Sequence, residues 1–152
     1  MIDPFRFHSR VRVRNYEIDW QGIVHNANYL LYFEVGRIEY LEHLGLAIDI
    51  NTIQQESRIV VARNEIDYRA AARFGDTLDV ATRIAWMRNS SFAFEAIMHD
   101  VSSDLRIAEN RSVHVWLDYR TERPVRIPDD FRARVTAFER ENIMIFPSEN
   151  DS

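Results

Sequence analysis

No cysteine occurs anywhere in the 152 residues. That excludes a disulfide framework, a thiol nucleophile and zinc sites built on thiolates. Long apolar runs are missing as well. No stretch approaches the roughly 18 apolar residues of a membrane span, and the N-terminal MIDPFRFHSRVRV lacks the apolar core of a signal peptide. A cytoplasmic protein that meets no membrane is expected. There is also no basic stripe: the formal net charge is −5 and acidic and basic residues are interspersed, which argues against nucleic-acid binding. Chemical signatures are absent too. The chain has no G-x-S-x-G elbow, P-loop or G-x-G-x-x-G fingerprint, and His8, His43, His99 and His114 show no metal-ligand spacing. No metal site is expected.

What is present is enough chain for one domain, able to bury about 70% of its unfolded surface without a metal or disulfide staple. Residues 1–140 are expected to form that domain and residues 141–152 a C-terminal tail. No internal repeat or low-complexity segment interrupts it.

The stretch from Tyr16 to Leu44, YEIDWQGIVHNANYLLYFEVGRIEYLEHL, organises the remainder. It passes from a strand end through an acidic, Gly-containing turn into the most apolar helical pattern in the sequence. Before it, Phe7, Ser9, Val11 and Val13 alternate with His8, Arg10, Arg12 and Arg14, which is strand periodicity. Within it, Leu30, Phe33, Arg37, Leu41 and Leu44 recur at helical spacing, and Leu31, Val35 and Ile38 widen the apolar sector almost all round. Such a helix is expected to be buried on most sides. It should run from Ala27 to Leu44, about 27 Å, with Asn26-Ala27-Asn28 at its start and Gly45 beyond its end. Gly36 in its middle costs about 1 kcal/mol relative to Ala, so something is expected to pack closely there.

After an irregular Leu46–Glu56 the pattern turns to strands: Arg58–Arg69, Thr77–Arg88, Phe92–His99 and Leu105–Tyr119, separated by turns at Gly75-Asp76, Asn89-Ser90-Ser91 and Asp100–Asp104. Ile127-Pro128-Asp129-Asp130 opens a short helix running to about Glu139. The fold class is α+β, an antiparallel β-sheet of about five strands with one long central α-helix on its face. One helix covers one face of such a sheet, so a homo-oligomer is expected.

Asp19 admits two readings. One is a turn or capping residue bonded to nearby backbone. The other follows from its setting: in D-x-x-G-x-V-x-N-x-x-Y (Asp19, Gly22, Val24, Asn26, Tyr29) a carboxylate stands next to a helix start, whose free N–H groups and partial positive charge favour a polarised carbonyl. A carboxylate so placed can attack a carbonyl or activate water while an N–H group holds the oxygen. His25 is either an acid-base group near neutral pH or a polar residue of the turn. Tyr16 either orients Asp19 or simply ends a strand. Trp20 is a candidate wall of a substrate pocket. Glu34 is a rival carboxylate on the helix, or the ion-pair partner of Arg37 three residues on. Arg88, Ser90 and Ser91 offer a guanidinium and hydroxyls to a phosphate, or form a solvated hairpin.

The segment resembles the signature of the hotdog-fold acyl-CoA thioesterases, in the branch that includes 4-hydroxybenzoyl-CoA thioesterase. The matching residues are Tyr16-Glu17-Ile18-Asp19, Gly22-Ile23-Val24, Asn28-Tyr29 and Phe33-Glu34 followed by Arg37. Weaker likeness at Ile66-Asp67-Tyr68, Gly75-Asp76, Ser91-Phe92, Arg123-Pro124 and Ile127-Pro128 extends it over nearly the whole chain. The resemblance implies a hotdog fold, the sheet wrapped on the central helix, and a dimer or a tetramer of hotdog dimers with active sites at subunit interfaces. It implies a hydrolase releasing a carboxylic acid and CoA from an acyl-CoA or aryl-CoA thioester, with no cofactor other than the coenzyme A of the substrate. In that family the residue at Asp19 acts as nucleophile or general base, and the backbone N–H at about Asn26 polarises the thioester carbonyl. Where many relatives in one branch carry His, this chain has Asn26. The alternatives are an acyl-carrier-protein thioesterase, a hotdog dehydratase using His25, and a non-catalytic acyl-CoA-binding protein.

Overall fold

The computed structural model describes residues 3–46 and 57–147. The irregular connection expected to Glu56 lies, beyond Leu46, outside these residues, as does the end of the C-terminal tail. In chain order the elements are β1 (Phe7–Arg12), a 3-10 turn (Asn15–Glu17), α1 (Asn26–His43), β2 (Ser57–Tyr68), β3 (Thr77–Met87), β4 (Ser91–Asp100), β5 (Arg106–Asp118), α2 (Asp129–Glu139) and β6 (Met144–Ile145). Each strand expected from alternation is present within a residue or two, except that β1 stops at Arg12 and the chain tightens before Asp19.

β1 to β5 form one antiparallel sheet in the order β1-β3-β4-β5-β2, and β6 adds in parallel beside the end of β3, Trp86 opposite Met144. These Met144 and Ile145 pairs lie inside the tail expected over residues 141–152. β3, β4 and β5 follow one another as hairpins, whereas β2 reaches the far edge and, among the described residues, pairs only with β5. Among the described residues no helix is long and apolar enough to cross a membrane.

The helix α1 lies on this sheet through Tyr29, Tyr32, Phe33, Gly36, Arg37, Tyr40 and Leu41, a repeat of three and four residues that makes one continuous face. The expectation of burial on most sides does not hold for the single chain: Leu31 is 54% and Ile38 48% exposed, because one sheet can cover only one side of a helix. At the contact, Gly36 is as tightly packed as its helical position demanded. A Cβ there would stand 2.7 Å from Thr82 Oγ1 and 2.9 Å from Val80 Cγ1, both short side chains rooted on β3. Gly36→Ala is therefore expected to destabilise the fold by about 2 kcal/mol in urea unfolding, overpacking outweighing the propensity gained.

Two core clusters meet along the helix. The first gathers Tyr29, Tyr32 and Phe33 with Leu78, Val80 and Met98; the second gathers Tyr40 and Leu41 with Ile84, Phe92 and Phe94, closed by Phe131 and Val135 of α2. Glu139 ends α2 inside the second, where it accepts hydrogen bonds from the Tyr40 hydroxyl and, at 3.1 Å, from Ile84 N–H. Burial raises its pKa, the two hydrogen bonds acting in the opposite sense.

β5 presents a polar stripe to the helix. Asn110, Ser112 and His114 are all buried. Arg37 does not pair with Glu34 as their spacing allowed; its Nη1 donates to Asn110 Oδ1 at 3.1 Å. The His114 ring shares a hydrogen bond of 2.9 Å with Ser112 Oγ and stacks on Phe92. Burial, and secondarily the Arg37 charge, hold His114 down from 6.5 to about 4. The unfolded chain thus takes up this proton at a higher pH than the folded chain, so the stabilisation is complete above the unfolded value and is lost as the solution is acidified toward the folded one. From about pH 7.5 to about pH 5 this group alone is expected to remove about 2 kcal/mol of stability. Chemical denaturation of wild type and His114→Gln at both pH values checks it: the variant should show a shallower loss.

Candidate active site

The path to the site begins with Val13, just past the end of β1, whose N–H donates to Asp76 O at 2.9 Å. Glu17 then turns the chain. Its carboxylate accepts from Arg14 N–H at 2.8 Å, from Arg14 Nη2 at 3.0 Å and from the buried Tyr32 hydroxyl at 3.0 Å. Its carbonyl oxygen accepts from His25 N–H at 3.0 Å and Asn28 Nδ2 at 2.7 Å. Burial alone would raise the Glu17 pKa, but the bonds from Arg14 and Tyr32 outweigh it and leave it lowered. The residue binds strand end, turn and helix start into one unit.

Between Ile18 and Val24, which bridge as a minimal antiparallel pair, the loop is closed by Asp19 N–H to Ile23 O at 2.8 Å and Gly22 N–H to Asp19 O at 3.0 Å. Gly22 has φ +84°, a conformation that any side chain would strain. Half-buried Asp19 uses Oδ1 to accept from Gln21 N–H at 2.8 Å, an Asx turn. Among the described residues, Oδ2 has no hydrogen-bond partner. The turn reading of Asp19 thus holds for one oxygen, which shapes the turn, and the other oxygen is left over.

α1 starts at Asn26, and its cap is His25 rather than the Asn-rich segment. His25 Nδ1 accepts from Ala27 N–H at 3.2 Å and its carbonyl accepts from Asn28 N–H at 2.9 Å. With those two amides occupied, Asn26 N–H is the helix-start donor that no acceptor among the described residues takes up. Asp19, His25, Asn26 and Tyr29 line a common cavity of about 560 Å³ with Tyr68 and Arg69. Ile23, Val24, Ala70 and Ala71 supply its apolar wall. Tyr68 caps the first turn by donating to Asn26 O at 3.2 Å and stands edge-on to Tyr29, ring centroids 5.4 Å apart. Tyr29 OH accepts from Ala72 N–H at 3.0 Å; burial raises its pKa, so it stays a neutral hydroxyl. Arg69 is gripped by Glu109 at 3.1 and 3.3 Å.

The other residues singled out from the sequence lie elsewhere. Tyr16 is 69% exposed, with the Arg14 guanidinium over its ring at 4.9 Å. Trp20 is 91% exposed and lines no part of the cavity. Glu34 belongs to a different cavity midway along α1. The Arg88–Ser91 turn is not a solvated hairpin: Ser90 and Ser91 are buried, Ile127 N–H donates to Asn89 O at 2.7 Å, and Arg132 of α2 reaches the carbonyls of Arg88 and Asn89. Arg88 stacks over the rings of Trp86 and Phe146. Glu17, Tyr68 and Arg69 are the site residues that sequence reasoning did not single out. The signal for Glu17 was its spacing of three from Arg14; Tyr68 and Arg69 end a strand remote in sequence. Among the described residues no three of His, Asp and Glu converge as a metal-binding group.

A carboxylate oxygen and a helix-start amide on one cavity wall can serve a nucleophilic or general-base attack on a carbonyl. Comparison with known proteins bears on which carbonyl. Residues 13–135 match the family model described as the thioesterase-like superfamily. A chloroplastic acyl-acyl carrier protein thioesterase of Arabidopsis thaliana is 31% identical over 90% of this chain and 71% of its own. The acyl-CoA thioesterase YbgC of Haemophilus influenzae is 29% identical over 84% of this chain and 92% of its own. A thioesterase from Thermus thermophilus, solved in complex with coenzyme A and zinc, is 30% identical with a TM-score of 0.76, covering 91% of this chain and 97% of that one.

Proposed function

The chain belongs to the thioesterase-like superfamily, has its hotdog fold and is a thioester hydrolase; from that premise we propose that it cleaves acyl-CoA thioesters to a carboxylic acid and free coenzyme A at the Asp19 cavity. The observation that carries the proposal is the pairing of a carboxylate oxygen left over from its turn with a helix-start amide left over from its cap, both on the same cavity. In this mechanism Asp19 Oδ2 attacks the thioester carbon or removes a proton from the attacking water. Asn26 N–H holds the oxygen as negative charge develops on it, an effect of about 10²- to 10³-fold for one such donor. The thiolate then leaves and takes up the proton lost by water; where Asp19 itself attacks, that water arrives second, hydrolysing the acyl–aspartyl anhydride to the free acid and regenerating the carboxylate. A thiolate departs without strong acid assistance, so no second acid is required, and no cofactor beyond the coenzyme A of the substrate takes part.

The active form is a homo-oligomer, a dimer or a tetramer of dimers. Two features support this. β2 is a twelve-residue edge strand with β5 as its sole ladder partner among the described residues, and such an edge invites pairing with another copy. The Leu31, Val35 and Ile38 side of α1 is left uncovered. Exposed Trp20 and Tyr16, beside the site but outside its cavity, are placed to meet a neighbouring subunit and complete the wall around the acyl group.

A second reading, acyl-carrier-protein thioesters as substrates, is favoured by the Arabidopsis relative. Thiol release measured with Ellman's reagent, using one acyl group presented on CoA and on the carrier protein, decides between them. Faster release from CoA is expected. Binding without thiol release from either would overturn the hydrolase reading.

A further inference from the structure

Tyr29 brings a phenol to the Asp19 cavity from the buried side of α1, and the chemistry described above gives it no task. Its side chain is 4% exposed and lines the cavity beside Ala70 and Ala71. A phenol oxygen can accept one hydrogen bond while donating its own hydrogen to another group. Ala72 N–H takes up the accepting capacity at 3.0 Å. Among the described residues no acceptor takes the hydrogen. A buried donor without an acceptor is costly, so this hydroxyl needs a partner that the described residues do not supply.

Most other polar groups on the cavity wall are engaged. Tyr68 OH donates to Asn26 O, Arg69 is held by Glu109, and His25 Nδ1 accepts from Ala27 N–H. Asn26 N–H is the donor for the thioester carbonyl in the proposed reaction, and His25 Nε2 belongs to an exposed ring. On the sheltered side a donor and an acceptor remain, Tyr29 O–H and Asp19 Oδ2, and they share the one cavity. Burial, and after it the neighbouring charges of Tyr68, Asp19 and Asp76, raise the Tyr29 pKa. The phenol therefore keeps its hydrogen at neutral pH, and the Asp19 charge is near enough to act on it. A cavity of about 560 Å³ has room for a water, about 30 Å³ in the liquid, beside an acyl group.

We propose, resting on the Asp19 reading given above, that Tyr29 O–H holds the water that hydrolysis adds. The phenol donates to one lone pair of the water oxygen, one water hydrogen is donated to Asp19 Oδ2, and the second lone pair is turned to the thioester carbon. As the water attacks, its oxygen bonds to that carbon and Asp19 takes its proton. The C–S bond then breaks, and the thiolate leaves with the bonding electrons and takes that proton from Asp19. Where Asp19 attacks first, the water that opens the acyl–aspartyl anhydride is held by Tyr29 alone. In both routes Tyr29 keeps its own proton: it fixes the water and transfers nothing to it.

Tyr29→Phe removes the hydroxyl and keeps the ring. In acyl-CoA hydrolysis kcat is expected to fall about 10- to 100-fold with KM little changed, the cost of a reactant left unfixed. Because the variant also takes the acceptor from Ala72 N–H, a second readout separates catalysis from stability. With methanol competing for the acyl group, the ratio of methyl ester to free acid is set inside the folded site and is blind to how much protein is folded. Tyr29→Phe removes the anchor of the water and opens room for a methyl group, so the ratio should rise several-fold. An unchanged ratio, or a kcat within a few-fold of wild type, overturns the proposal. A crystal structure of the wild-type protein tests it without any variant: a water within hydrogen-bond distance of both Tyr29 Oη and Asp19 Oδ2 is expected, and its absence overturns the proposal. Asp19→Asn, assayed alongside, separates this inference from the reading it rests on. Activity lost in Asp19→Asn and kept in Tyr29→Phe removes the water assignment alone, whereas activity kept in both removes the site as well.

Discussion

Asp19→Asn is expected to lower kcat for thioester hydrolysis by about 10²- to 10⁴-fold, the range of a lost general base or nucleophile, while the protein stays folded. The substitution is informative because the two oxygens of Asp19 do different things. Oδ1 accepts from Gln21 N–H within the turn, and the amide oxygen of Asn can keep that bond. What changes is Oδ2, which has no partner among the described residues and becomes an uncharged donor. A purely structural Asp19 would therefore show turnover close to wild type with an unchanged unfolding midpoint. The rival carboxylate gives the complementary control. Glu34 lies eight residues beyond Asn26, about 12 Å along the helix, on the lining of a different cavity. Glu34→Gln should leave thiol release from a short acyl-CoA within a few-fold of wild type. Loss of activity in Glu34→Gln with retention in Asp19→Asn would move the catalyst onto α1. His25 is constrained in another way, since its Nδ1 is engaged by Ala27 N–H, so it has only Nε2 to offer to substrate.

Much of the architecture was legible in the sequence because its periods are clean. Alternation marked β2 to β5, and the turns between them carry the residues that turns require. The acid turn was legible for the same reason: Gly22 sits where the chain needs positive φ, and the helical pattern begins four residues later. The face that α1 buries was not legible. With Leu30, Leu31, Val35 and Ile38 interleaved among Tyr29, Phe33 and Leu41, apolar character alone selects no side. The structure buries the side bearing Tyr29, Tyr32 and Tyr40, whose hydroxyls meet Ala72 N–H, Glu17 and Glu139. Those partners come from three distant segments, so no local spacing announces them. The polar stripe of β5 was hidden likewise. Alternation separates His114 from Val113 and Val115 without saying which set faces the helix, and hydropathy favours the wrong one. Tyr68 and Arg69 join the cavity through strand pairing some forty residues from Asn26, as the contact of Tyr68 with Asn26 O shows.

Glu17→Ala is expected to cost about 3 kcal/mol of stability and to lower kcat beyond what unfolding explains. The stability estimate counts the two bonds made within the buried environment, from Tyr32 OH and from Arg14 N–H, at about 1.5 kcal/mol each for hydrogen bonds to a charged acceptor. The Arg14 guanidinium is 59% exposed and adds little. Removing the carboxylate leaves the Tyr32 hydroxyl, in a side chain only 2% exposed, without its acceptor, so its share of the cost is not recovered from water. Glu17→Gln should lose about half as much, since an amide oxygen still accepts from both donors. The kinetic consequence follows from position. Glu17 stands two residues before Asp19, and its carbonyl oxygen receives His25 N–H and Asn28 Nδ2, so it fixes the strand end that carries the carboxylate against the helix start that carries the amide. A shift of about 1 Å between them is enough to cost about 10²-fold in rate. Glu17 acts here as a positioning residue, so kcat should fall while KM changes little, and Glu17→Gln should recover most of the rate. Because hydrogen bonding keeps the Glu17 pKa below its unfolded value, its contribution is complete above the ordinary carboxylate range and fades as the solution is acidified through and below that range. Glu17→Ala should therefore differ most from wild type near neutrality, and the two unfolding curves should converge in acid.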